Sequence, residues 1–480
     1  MRNHTVEKIG GTSMSNYASV RDNIVFKPSD GPNLYQRVFI VSAYGGITDK
    51  LLEHKKSGQS GVFGLFSSGM NDEAWMEALR QLEQEIYSIN RQLFGEEKLC
   101  AQADAFIGER IQDANSCLCD LQSLCQHGHF SLESHLSTVR EMLASIGEAH
   151  SAWNTAHLLQ RDGVNARFID LTGWKTATQA TLDQRICLAF DSIDLQTELP
   201  IVTGYAHCEG GLMSTFDRGY SEMTFSRAAV LTEAREAVIH KEFHLSSADP
   251  KLVGESNAVP IGRTNYDVAD QLANLGMEAI HPKAAKGLRQ HNIPLRVKNT
   301  FEPEHAGTLI TVDYVSDTPR VEIIAGCKGV YAIEVFSQDM AGNVESCDRE
   351  ILQLIKRFKG RIVSKDINAN TITHYLATNL KTVKRICKEL EAKFEDAEID
   401  QRKIAVVSAI GSDLQVPGML AKTVCALSEK NINVLAMHQS MRQVDMQFIV
   451  DETDYELAIK SLHSCLVEVH DHGRAICLAS

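Results

Sequence analysis

Two short segments of the 480-residue sequence place paired glycines and hydroxyls directly after an apolar run. The first is EKIGGTSM, in which Lys8 is followed by Gly10, Gly11 and Ser13; the second is VSAYGGITD, with Gly45, Gly46 and Thr48. Glycines at a strand end let backbone N–H groups approach an anion, a lysine neutralises charge on a transferring phosphoryl group, and hydroxyls complete the shell. Taken alone, KIGGTS is as readily a plain turn. Two such loops in one α/β region point to a ligand site, because ligands of open α/β sheets gather at the carboxyl ends of strands. Neither loop is a Walker A sequence and no protein-kinase catalytic signature is present. If the loops serve phosphoryl transfer, positioning and electrostatics must do most of it.

A third segment, STFDRGYSE, sits between the apolar run LPIVTGY and the helical pattern MTFSRAAVLTEA. A strand-to-helix turn offers free N–H groups, and only Gly219 supplies the backbone freedom of a glycine loop. Glu148 and Ser151 fall in IGEAHSAW, where helical spacing alone reads Glu148 as a solvated carboxylate. His281, beside Pro282 and followed by Lys283 and Lys286, reads as a structural histidine at a helix start.

The elements that carry these residues alternate. Apolar runs TVEKIGG, VFIVSAYGG, NARFIDLT, LPIVTGY, REAVIHKEFHL and IPLRVKNT read as strands, and residues 72–160 carry apolar positions at helical spacing with few Gly or Pro. This predicts one large α/β domain over 1–310 with a helical section at 55–145. Residues 320–396 and 400–480 then repeat a βαββαβ-like order, which predicts two small ferredoxin-like domains in tandem.

Composition bounds the function. A chain with 44% hydrophobic and 23% charged residues is an ordinary globular protein, and its formal charge of −14 excludes a surface that wraps nucleic acid. No apolar run approaches the roughly 20 residues that span a bilayer, and the N-terminus enters a strand pattern without a signal-peptide core. The closest approach to a cysteine cluster among the twelve, Cys117, Cys119 and Cys125, lacks the second ligand pair of a zinc site. Reduced thiols and a cytoplasmic location are the expectation.

In this order, EKIGGTSM, VSAYGGITD, GEAHS, IVTGYAH, TFDRGYSE, SSADPKLV, YDVADQLANLGMEAIHP and IPLRVKNTFEPEHAGTLI resemble the aspartokinases of the amino-acid kinase family. The resemblance implies an α/β/α sandwich kinase domain followed by two ferredoxin-like ACT domains. It also implies ATP-dependent phosphorylation of the β-carboxylate of L-aspartate, with Mg²⁺. By position, Lys8 would stabilise the phosphoryl group in transfer, and Gly10, Gly11 and Ser13 would hold phosphate oxygens. Thr48 would contact the substrate, Glu148 would pair with its ammonium, Arg218 would clamp its α-carboxylate, and Ser221 would add a hydroxyl. A guanidinium fork suits a carboxylate.

Where the family has Leu-Gly-Arg-Gly-Gly-Ser-Asp, this chain has Phe216 to Glu222 with two glycines replaced. Where it has a Trp-Thr-Asp-Val run lining the nucleotide, this chain has Ile239-His240-Lys241-Glu242, and Glu278 stands where a lysine is usual. Such departures resemble the aspartokinases associated with ectoine synthesis. The second reading is a degenerate kinase domain that serves as an amino-acid-binding regulatory subunit. For the repeats, the resemblance implies a homodimer and an amino-acid effector such as threonine or lysine, contacted by Asp339, Asp413, Gln415, Gly418 and Asn433.

Overall fold

The computed structural model describes residues 3–27, 34–54, 57–69, 72–95, 98–176, 179–216, 219–277 and 279–469. They divide into two compact units, residues 1–244 with 280–312 and residues 245–279 with 313–480. The break differs from the contiguous 1–310 expected from the sequence. Residues 245–279 belong with the repeats because Ile261, Val268, Leu272 and Leu275 are buried in the same core as Ile323, Val407 and Phe448.

In the first unit the strands are β1 (Thr5–Ile9), β2 (Arg37–Val41), β3 (Ala166–Ile169), β4 (Leu199–Thr203), β5 (Glu236–Lys241), β6 (Leu295–Asn299) and β7 (Thr308–Thr311). They lie in the order β3-β4-β2-β1-β5-β6-β7. Every neighbouring pair is parallel except β6 with β7. The runs RVFIV and LPIVT are buried at every position, as parallel strands covered on both faces must be. Register lines up Thr203, Val41, Ile9, His240 and Lys298 across five strands, so the loops that follow them leave from one edge. That shared edge brings the glycine loops together.

A buried ion cluster pins the three central strands. Arg37 donates to both oxygens of Glu7 at 2.6 and 2.9 Å, and His240 Nε2 lies 2.7 Å from Glu7 Oε2. Burial pushes the Glu7 carboxyl up, but Arg37 and His240 together hold it well below the usual range. The helical section forms Asp72–Phe94, Lys98–Cys125 and Leu136–Arg161. The last of these is buried at nearly every position from Leu143 to Leu159, and it carries Glu148.

The second unit holds β8 (Ile323–Phe336), β9 (Arg361–Ile367), β10 (Thr371–Ala377), β11 (Glu398–Ile410), β12 (Val434–Gln439) and β13 (Asp445–Asp451). Its sheet runs β9-β10-β8-β11-β13-β12. The two repeats are thus joined in one sheet rather than separate, because the long strands β8 and β11 pair antiparallel along their length. Strand β11 closes the first repeat and opens the second. Among the described residues no helix is long and apolar enough to cross a membrane.

Candidate active site

Lys8 lies next to the end of β1, and the turn after that strand is held by β5, whose His240 carbonyl accepts the Gly10 N–H at 3.2 Å. Gly11 opens the single helical turn Gly11–Met14. A Cβ at Gly11 would lie 2.7 Å from the Ala43 carbonyl oxygen, so the two glycine loops touch where only a glycine fits. The Gly45 N–H donates to Ser15 Oγ at 2.9 Å. Gly46, at φ 84°, caps the helix Ile47–Leu51 that presents the half-buried Thr48.

The buried helix Leu136–Arg161 packs against the second loop. Gly147 permits the approach, since a Cβ there would lie 2.9 Å from that of Ala43. Ser151 Oγ donates to the Ser42 carbonyl at 2.8 Å, and the Tyr44 ring meets His150 edge-on at 5.2 Å. The packing carries Glu148 to the strand ends at 1% exposure, far from the solvated position its spacing suggests. Its Oε1 accepts from Ser221 Oγ at 2.6 Å. Its Oε2 has no hydrogen-bond partner, and a Cβ on Gly204 would come within 2.9 Å of it. Burial pushes the Glu148 carboxyl up to about 8 against weaker pulls from Ser221, Lys8, the Tyr205 N–H and the Tyr220 hydroxyl. A dry carboxylate with one empty oxygen is completed by a cationic N–H donor.

Lys8 Nζ lies 3.2 Å from Glu222 Oε1, and Glu222 Oε2 accepts the His281 N–H. Burial raises this carboxyl, but Lys8 and Lys241 hold it below its usual value. Ser221 and Glu222 occupy the first turn of the helix Tyr220–Leu231, so the segment is helical from Tyr220 onward. Gly219 does not use a glycine's freedom, since its φ is −81°. It provides space: a Cβ there would meet His281 Cδ2 at 2.4 Å. His281 itself is structural, its Nδ1 accepting the Lys283 N–H at 3.3 Å as a helix cap. Glu222 was not among the expected site residues. Its sequence signal was a carboxylate one position after Ser221, able to answer the strand-end lysine.

Residues 3–299 match the model of the amino acid kinase family, and residues 396–464 match an ACT domain. The aspartate kinase Ask_Ect of Stutzerimonas stutzeri is 54% identical over 476 residues, covering 99% of this chain and 100% of that protein. The chain belongs to the aspartokinases. Chloroplastic aspartokinase 1 of Arabidopsis thaliana is 26% identical, covering 97% of this chain and 80% of its own. Among solved structures, E. coli aspartokinase III in complex with aspartate and ADP (R-state) superimposes with a TM-score of 0.72 at 18% identity, covering 97% of this chain and all of that one. Clostridium acetobutylicum aspartate kinase gives 0.69 at 19%, covering 96% and 100%. At such identities these structures establish the fold of the aspartokinase, the α/β kinase domain with its C-terminal ACT repeats.

Other motif positions of this aspartokinase are tied into the fold. Ser13 is fully buried and its hydroxyl bonds Thr300 Oγ1 at 2.8 Å, tying the first loop to the end of β6. The His240 ring is buried on Glu7, and its carbonyl reaches the first loop through Gly10. Arg218 and Glu278 lie outside the described residues.

The five effector positions do not converge within one chain. Asp339 follows β8, whose last residue Phe336 pairs with Glu398, and Asp413 follows β11, whose last residue Ile410 pairs with Ile323. The two lie at opposite ends of these strands, about 40 Å apart at about 3.3 Å per residue. Asn433 precedes β12, whose Val434 pairs with Val450, a residue that itself pairs with Ala405 toward the middle of β11. Only Asp413, Gln415 and Gly418 share a loop, in which Asp413 Oδ1 accepts the Gln415 N–H at 2.9 Å and Gly418 caps a helix at φ 84°.

Proposed function

We propose that the protein transfers the γ-phosphoryl group of ATP to the β-carboxylate of L-aspartate, forming 4-phospho-L-aspartate and ADP. The observation that carries this reading is Glu148, buried beside Lys8 with one oxygen empty. An α-ammonium group supplies the charge and the hydrogens that oxygen lacks. A substrate with an ammonium at Glu148, a hydroxyl from Ser221 or Thr48 and an α-carboxylate for Arg218 turns its second carboxylate toward Lys8. That carboxylate is already ionised and needs no general base. One of its oxygens attacks the γ-phosphorus, the bond to the β,γ-bridging oxygen breaks, and ADP leaves with the bond pair. Lys8, steered by Glu222, meets the charge that spreads over the phosphoryl oxygens in transfer. Gly10 and Gly11 let backbone N–H groups reach the phosphates.

Mg²⁺ fits as a companion of the nucleotide. Among the described residues no group of three or more His, Cys, Asp or Glu is arranged to hold a metal ion. Mg²⁺ would enter with the nucleotide and would supply neutralisation of the ATP phosphate charge beside Lys8. For the C-terminal repeats, of which residues 396–464 match an ACT domain, amino-acid binding and pairing of two subunits belong to the same proposal. The relative's name, Ask_Ect, agrees with the ectoine-associated type that the motif departures resemble.

With Mg·ATP, L-aspartate and hydroxylamine, the folded protein is expected to release ADP and aspartyl hydroxamate in equal amounts, the latter by trapping of the acyl phosphate. Aspartate binding without either product would point to a regulatory subunit instead.

A further inference from the structure

Glu141 precedes Glu148 by seven residues on the helix Leu136–Arg161, which places both carboxylates on one face about 10 Å apart. Glu141 is 7% exposed and no motif accounts for it. Its Oε1 accepts the backbone N–H of Ser214 at 2.9 Å, an N–H in the first turn of the short helix Leu212–Phe216. Its Oε2 accepts the hydroxyl of Tyr205 at 2.8 Å. Gly211, at φ 74°, makes the approach possible, since a Cβ there would lie 2.5 Å from Oε1. Tyr205 is itself 1% exposed and packs edge-on against Tyr220 at 5.7 Å, one residue before Ser221.

Ser214 and Ser221 are therefore both held by the same helix, the first by Glu141 and the second by Glu148. The Tyr205–Tyr220 contact joins the two fastenings.

We infer that Glu141 is a positioning residue for aspartate: it holds Ser214 and Tyr205, and through the Tyr205–Tyr220 contact it sets the helix start at Ser221 beside the carboxylate that receives the substrate's ammonium. It touches no reacting atom. Its effect falls on the affinity for aspartate and not on the nucleotide, whose loops follow β1 and β5. The inference rests on the aspartokinase reading of the same site.

The test is steady-state kinetics of the full chain and its Glu141→Gln variant, with each substrate varied in turn. Glutamine keeps the volume but turns one acceptor into a donor that faces either an N–H or a phenol. The expected result is a rise of about tenfold in the KM for aspartate, with the KM for ATP within about twofold, the size set by losing one hydrogen bond to a charged acceptor. A role confined to stability would lower the melting temperature and the active fraction while leaving both KM values in place.

Tyr205→Phe removes one of the two fastenings without a buried charge change. It is expected to shift the aspartate KM in the same direction by about threefold, and Glu141→Gln/Tyr205→Phe is expected to be no worse than Glu141→Gln alone. An unchanged aspartate KM in folded Tyr205→Phe, or in folded Glu141→Gln, overturns the inference while wild-type turnover leaves the aspartokinase reading intact. Absence of aspartate-dependent ADP from the wild type would overturn both.

Discussion

Replacing Glu148 with glutamine is expected to raise the KM for L-aspartate by about a hundredfold or more, and to leave the unliganded protein more stable at pH 8 than the wild type. The two effects share a cause. The empty Oε2 of Glu148 lies in a site at 1% exposure, so a bound ammonium finds a charge-assisted partner with no competing water. Glutamine offers a neutral group in the same volume, and the loss of about 3 kcal/mol or more corresponds to roughly two decades in affinity. For stability, burial places the folded pKa of Glu148 at about 8, above the ordinary 4.5. Folding therefore favours the protonated form. The stability this group contributes is fully present below about pH 4.5 and is lost as pH rises toward 8, a penalty on the order of a few kcal/mol. Glutamine does not ionise and avoids it. Thermal unfolding of both proteins at pH 5 and pH 8 is expected to show close melting temperatures at the lower pH and a higher one for Glu148→Gln at the upper. Equal melting temperatures at pH 8 would contradict the strained ionisation of Glu148.

Lys8→Met is expected to act on the other kinetic constant, lowering kcat by about 10² to 10³ with a modest change in the aspartate KM. The ammonium of Lys8 is matched to charge that spreads in the transition state and is largely absent from the bound substrate. Its removal also takes the ion-pair partner from Glu222, which keeps the His281 N–H and the pull of Lys241 in a position where the side chain is only 15% exposed. Losing that partner costs about 1–3 kcal/mol. Lys8→Met/Glu222→Gln separates the two consequences. The double variant is expected to recover most of the melting temperature lost by Lys8→Met and none of the rate. Recovery of kcat in the double variant would mean that Lys8 serves only to neutralise Glu222.

The strands and the long helices were legible because their apolar periods are unbroken: RVFIV and LPIVT are buried throughout, and the 72–160 stretch became three helices. The glycine loops were legible as loops, since strand ends with paired glycines leave few alternatives. What was hidden were relations between distant residues. Ser13 stands in a phosphate-loop motif, which gives no sign of its bond to Thr300, 287 positions away. His240 reads as a nucleotide-facing change until strand register places it on Glu7. Gly219 reads as a flexible position, whereas the His281 ring makes it a matter of volume. Glu148 and Glu141 show the limit most clearly, because helical spacing puts them on one face but does not reveal that the face is enclosed. The break in the first unit at residue 244 was equally hidden, because 245–279 joins its partners only through the core around Val407 and Phe448.

The most direct test of the claim that Glu148 receives the substrate's ammonium is the proton balance of aspartate binding, measured by calorimetry in two buffers of different ionisation enthalpy. Free Glu148 with a pKa of about 8 is largely protonated at pH 7 and must lose its proton to pair with the ammonium. The expected result is release of most of one proton per aspartate at pH 7, falling as pH rises past about 8, with no such release for Glu148→Gln. Tight binding of aspartate at pH 7 with no proton released would contradict it.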